Sequence, residues 1–129
     1  MTAAPQGPPG PADRIDLGLS GKIVLITGGA RGVGAGIATV LKDLGAIPVI
    51  CARRPPTADD HPDFFPCDVR DEDAVTELVA KIVDKYGKLD GVVNNAGGSP
   101  FALAADASAS FTNKIIALNL VAPLIVSRA

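Results

Sequence analysis

Tryptophan is absent from this 129-residue chain, tyrosine occurs once, and aromatic residues make up only 4%. Apolar residues still reach 47%, so a core has to be assembled from Val, Ile, Leu and Ala, which favours a parallel α/β sheet covered by helices. Cys51 and Cys67 are the only cysteines and His61 the only histidine, too few for a zinc site. Both thiols fall at the ends of neighbouring predicted strands and are expected to be buried, which fits a reducing cytoplasm. Charge of one sign is nowhere concentrated. With 12 basic and 14 acidic residues and a net charge of −2, neither nucleic acid nor an anionic membrane surface is indicated as a partner. Long apolar runs are missing too, since the best candidate, Lys114 to Val126, is interrupted by Asn119 and Pro123. The N-terminus has neither a basic start nor an apolar segment and is not a secretory signal. Its prolines at 5, 8, 9 and 11 lead us to expect a disordered Pro/Gly-rich tail over residues 1–18, followed by one domain over 19–129.

What is present begins at Lys22, where KIVLITGGARGVG joins a short β-branched run to a glycine-rich turn. Ile23 to Ile26 has the character of a strand buried on both faces. Val33, Ile37, Val40, Leu41 and Leu44 then recur at helical spacing and predict the buried face of a helix that Gly45 stops. A strand, a glycine turn and a helix N-terminus together make an anion site: the backbone can approach a diphosphate while unpaired N–H groups face its charge. Glycines alone would equally serve a tight turn with no ligand. The downstream features decide between the two.

A second strand is predicted at Ile47–Cys51, ending at Ala52, followed by RRPPTADDHP, whose prolines exclude an ordinary helix. The link to the next strand must therefore be a compressed loop, with Phe64 and Phe65 filling part of the space a helix would occupy. A short third strand is expected near Asp63–Cys67, and Asp71 caps a helix running to Tyr86, with Val75, Leu78, Val79, Ile82, Val83 and Tyr86 inward. Gly87 ends that helix, Leu89–Asn94 forms a fourth strand, and NNAGGSP makes a loop of small residues. A last helix from about Ser110 turns Phe111, Ile115, Leu118, Ala122 and Ile125 inward. The order describes an α/β, doubly wound parallel sheet of Rossmann type with about four strands.

With TGGARGVG at Thr27–Gly34, Asp68-Val69 after the third strand, NNAG at Asn94–Gly97 and Asn119 within ALNLVAP, the chain resembles the N-terminal half of a short-chain dehydrogenase/reductase. The resemblance covers residues from about 19 to 129. It implies that Gly28, Gly32 and Gly34, with the N–H groups around Gly32 and Val33, hold a dinucleotide's diphosphate. Asp68 would accept from the adenine amino group beside the Val69 backbone, and Asn95, Ala96 and Gly97 would line the ribose and nicotinamide side. Asn94 would tie neighbouring strands, and Asn119 would join the catalytic set by holding a proton-relaying water. The end of the second strand bears on the choice of cofactor. Where NAD-binding folds place an acid for the 2′-hydroxyl, this chain has Ala52, with Arg53 and Arg54 next and Arg31 in the glycine turn. Guanidinium forks suit a 2′-phosphate, so NADP is expected, with NAD the alternative.

Chemistry in such a family needs a tyrosine, a lysine four residues later and a serine on the preceding strand. The sole tyrosine, Tyr86, is followed four residues on by Asp90, and Ser127 sits on the last helix. The chain is therefore expected to be the truncated cofactor-binding part of an oxidoreductase acting on a carbonyl or secondary alcohol. By itself it should be inactive and marginally stable, and a homo-oligomer is expected only at full length. A dinucleotide-binding module without turnover, or a remnant, is the alternative.

Overall fold

The computed structural model describes Ala4, Gly7 and residues 15–129, so the proposed N-terminal tail lies mostly outside the described residues. Four strands form one parallel sheet: β1 (Ile23–Thr27), β2 (Ile47–Ala52), β3 (Asp63–Pro66) and β4 (Gly91–Val93). Their spatial order is β3-β2-β1-β4, with Ile23 opposite Ile47, Val24 opposite Gly91, and Val49 opposite Asp63. The helices are α1 (Gly32–Asp43), α2 (Glu72–Tyr86), α3 (Ala109–Ile116) and α4 (Ala122–Arg128). A π-helical turn, Ala117–Val121, joins the last two.

All five residues of β1 are buried, as a central strand covered on both faces requires. On one face Leu25, Val49 and Cys51 meet Val75, Leu78 and Ile82 of α2 and Ala122 and Val126 of α4. On the other, Ile26 and Ile50 meet Ala38, with Ile37, Leu41, Phe64 and Val93 around them. The expected loop between β2 and β3 contains no helix, and Phe64 and Phe65 pack against opposite faces of the sheet beside it.

The inward face of α1 differs from the periodicity reading. Gly34 and Ala38 are buried there with Ile37 and Leu41 alongside, whereas Val33 and Val40 are 75% and 57% exposed and Leu44 is also exposed. The helix crosses too close to the glycine turn for large side chains, so the smallest residues take the line of contact. On α2, Val75, Leu78 and Ile82 are buried as expected but Val83 is exposed. Asp71 caps α2 by accepting from Ala74 N at 3.1 Å, and Gly87 closes it in the left-handed region at φ 78°.

Asn119 and Pro123 do not break the last helical segment. The π turn accommodates the first, and Pro123 stands at the second position of α4, directly after that turn. The continuous stretch Ala109–Arg128 is thereby long and apolar enough to cross a membrane by length and composition. In this fold its Ala122 and Val126 pack into the larger core and Arg128 pairs with Glu72 of α2.

Candidate functional site

The chain leaves β1 toward one side, through α1 to β2 and on to β3, then crosses to the other side of β1 for β4. At this reversal the loops after β1 and β4 diverge, and open parallel sheets place their ligands outside the strand ends there. A cleft of about 930 Å³ lies at that place.

Its floor is the glycine turn. Gly32 adopts φ 57°, a conformation that strains any residue with a Cβ, and the space its side chain would occupy is open. Gly34 has the opposite reason for lacking a side chain: a Cβ there would sit 2.3 Å from the Gly28 carbonyl oxygen. The α1 N-terminus faces the cleft with no side-chain cap and no acid in its first turn. By contrast, α2 and α3 are capped by Asp71 and Ser108. Only α1 of these three presents an unspent N-terminal charge, the arrangement that suits a phosphate.

Thr27, the last residue of β1, is the buried hub behind the turn. Its hydroxyl oxygen accepts from Asn95 N at 3.1 Å and Ala96 N at 3.0 Å. The Asn95 side chain donates through Nδ2 to the Thr27 and Gly28 carbonyls at 3.1 and 3.2 Å. Asn95, not Asn94, therefore ties the ends of β4 and β1 together. Asn94 points the other way, donating to Ser127 Oγ at 3.0 Å. The sequence places both asparagines at the strand end, but which one faces β1 depends on the register.

Every residue expected to touch a dinucleotide lines this single cleft: Gly28, Arg31, Gly32, Val33 and Gly34 from the turn, Arg53 and Arg54 after β2, Asp68 and Val69 after β3, and Asn95, Ala96 and Gly97 after β4. The Val69 side chain is buried in the larger core, which leaves its backbone to face the cleft. Asn119 stands just behind. Its Nδ2 donates to the Gly98 and Ile115 carbonyls and its Oδ1 accepts from Gly98 N, so the side chain clamps the loop after β4 to the π turn.

Among the described residues, Arg31, Arg53 and Arg54 form no ion pair, while Arg70 holds Asp68. The Arg70 fork lowers the Asp68 pKa to about 2, with a smaller contribution from the charge of Arg53. Three guanidinium groups on the cleft thus have no ion-pair contact among the described residues. Both cysteines are buried free thiols in its wall, and burial pushes Cys51 up to about 12, which makes it a poor nucleophile. Arg70 and Thr57 line the cleft as well. The sequence reading missed both, although the close spacing of Asp68 and Arg70 was a usable sign of their pairing.

A family model described as short chain dehydrogenase matches residues 22–129. The chain belongs to this family. Within it, the chain is 42% identical over 87 residues to L-fucose dehydrogenase of Bos taurus, covering 63% of this chain and 32% of that protein. Against short-chain dehydrogenase reductase 3b of Arabidopsis thaliana it is 37% identical over 111 residues, 79% of this chain and 43% of that protein. The chain thus spans well under half the length of these curated relatives. The ligand-free aldohexose dehydrogenase of Thermoplasma acidophilum superposes with a TM-score of 0.81 at 29% identity, over 86% of this chain and 43% of that one. A short-chain dehydrogenase of Leptospira borgpetersenii with bound NAD+ gives 0.78 at 21% identity, a likeness of fold, over 85% of this chain and 44% of that one.

Proposed function

We propose that this chain is the cofactor-binding part of an NADP(H)-dependent short-chain oxidoreductase that moves hydride between nicotinamide and a carbonyl or secondary alcohol. The observation that carries the reading is the charge of the cleft: Arg31, Arg53 and Arg54 line it without ion-pair partners, and Ala52 ends β2 where an acid would take a 2′-hydroxyl. In this reading the uncapped start of α1 binds the diphosphate, and Arg53 and Arg54 grip the 2′-phosphate. Asp68 and the Val69 backbone take the adenine. Thr27 and Asn95 keep the loop after β4 close to β1, so that Ala96 and Gly97 offer a flat, small-residue wall to the nicotinamide ribose. Asn119 fixes Gly98 and with it the far end of that wall, and belongs to the proton-relay set. The nicotinamide supplies the hydride chemistry when bound.

The related enzymes named for L-fucose and aldohexose act on sugars by name, but the matched part is the cofactor half, so the substrate class stays at carbonyl or secondary alcohol. NAD in place of NADP is the competing reading, favoured by the Leptospira relative, whose structure holds NAD+. Calorimetric titration of the intact polypeptide with adenosine 2′,5′-bisphosphate and with 5′-AMP separates the two. The bisphosphate is expected to bind at least about tenfold more tightly, as charge-assisted phosphate bonds require. Equal affinities would remove the phosphate pocket and leave NAD.

A further inference from the structure

Asp68 and Arg70 meet in a tight turn at the end of β3. Arg70 N donates to Asp68 Oδ1 at 3.1 Å, Arg70 Nε donates to the same oxygen at 2.9 Å, and Arg70 Nη2 donates to Oδ2 at 2.7 Å. Both residues line the cleft, and their side chains are about one-third exposed, at 35% for Arg70 and 36% for Asp68. A carboxylate offers about four lone-pair positions. Three are taken here, and the open one belongs to Oδ2. The planar guanidinium does more than neutralise the charge. Its two-point grip fixes the rotation of the carboxylate, which a single point charge could not do.

We infer that Arg70 is a positioning residue that sets the base selectivity of the cleft, by leaving Asp68 one fixed acceptor that takes an amino purine and rejects an oxo purine. This rests on the assignment of the Asp68 corner to the base of the dinucleotide. An exocyclic amino group donates into the open lone pair. An exocyclic oxygen in the same place sets one acceptor against another, and a carboxylate locked by Arg70 cannot turn away to relieve the clash. Because the ion pair keeps Asp68 deprotonated, the carboxyl has no proton to offer such an oxygen. An arginine that merely stiffened the loop would change the affinity for both bases alike.

The test is equilibrium binding of NADPH and of its hypoxanthine counterpart, deamino-NADPH, to the intact polypeptide and to Arg70→Ala, Arg70→Gln and Arg70→Lys, with circular dichroism establishing that each is folded. The unaltered protein is expected to prefer the adenine form by on the order of tenfold or more. In Arg70→Ala and Arg70→Gln the ratio should fall to roughly two- to threefold, with Arg70→Lys between, since it restores charge but not the fork. Arg70→Gln serves where Arg70→Ala fails to fold. An unchanged ratio in a folded variant overturns the inference, as does an equal loss for both ligands. If the unaltered protein binds both forms without preference, the cofactor reading stands and the role of Arg70 falls. If it binds neither, both fall together.

Discussion

Thr27 and Asn95 are joined twice across the ends of β1 and β4: the Asn95 backbone N–H donates to the Thr27 hydroxyl at 3.1 Å, and the Asn95 side chain donates to the Thr27 carbonyl at 3.1 Å. The pair closes the back of the cleft and aims the loop that follows β4. Thr27→Val keeps the shape of the side chain but removes the acceptor shared by Asn95 N and Ala96 N. Asn95 N retains the Val93 carbonyl at 3.0 Å, so the orphan is Ala96 N. A loss of about 1–2 kcal/mol in urea unfolding is expected, the cost of one part-buried unpaired donor. A change below about 0.5 kcal/mol, the usual scatter of neutral substitutions, would mean that the hydroxyl is not the hub.

Gly34 and Gly36 lie two residues apart on α1 and should respond in opposite ways. At Gly34 a Cβ would stand 2.3 Å from backbone, whereas at Gly36 nothing lies within 4 Å. Gly34→Ala is expected to destabilise the protein and to weaken NADPH and NADH together. Gly36→Ala should be neutral or stabilising by up to about 1 kcal/mol from helix propensity. Thermal unfolding and cofactor titration of both variants check this, and full affinity in Gly34→Ala would move the diphosphate away from the turn.

Arg53→Ala separates the cofactors. Loss of a charge-assisted bond to the 2′-phosphate should weaken NADPH by about 10- to 100-fold while leaving NADH nearly unchanged. Dissociation constants for both cofactors give the answer, and equal effects would take the phosphate from Arg53.

Asp63 provides a pH-dependent element away from the cleft. Hydrogen bonds from Lys85 and Tyr86 hold its carboxyl below the usual carboxylate range. A folded pKa below the unfolded one gives stability that is present above the ordinary carboxylate value and lost as pH falls through the lowered one. Because Asp63 is 38% exposed, the contribution at neutral pH should be modest, about 0.5–1 kcal/mol. The Tm gap between the unaltered protein and Asp63→Asn is expected to hold from pH 7 down to the ordinary carboxylate value, about 4, and to narrow below it. A gap that is constant with pH would remove the ionic role.

Particular residues mark how far the sequence alone reaches. The succession of strands and helices along the chain and the helix-free loop before β3 were legible because β-branched runs and prolines act locally. The cleft was legible too, since its residues sit at strand ends whose positions the runs define. The buried face of α1 was not. Apolar periodicity ranks residues by size and hydrophobicity, whereas the close crossing of α1 over the glycine turn selects Gly34 and Ala38 for being small. The exchange of roles between Asn94 and Asn95 has a similar origin, because successive residues leaving β4 face different ways and only the folded sheet decides which of them meets β1. Arg70 escaped notice because its spacing from Asp68 signals a pairing but not the two-point grip that gives the pairing its part.

Binding of a phosphorylated dinucleotide to the cleft after β1 is tested most directly by adding NADPH to the intact polypeptide and following nicotinamide emission. A saturable rise is expected, with NADH requiring at least about tenfold more cofactor for half-saturation. Emission that stays flat for both cofactors would contradict dinucleotide binding altogether, and tighter binding of NADH would contradict the phosphate pocket.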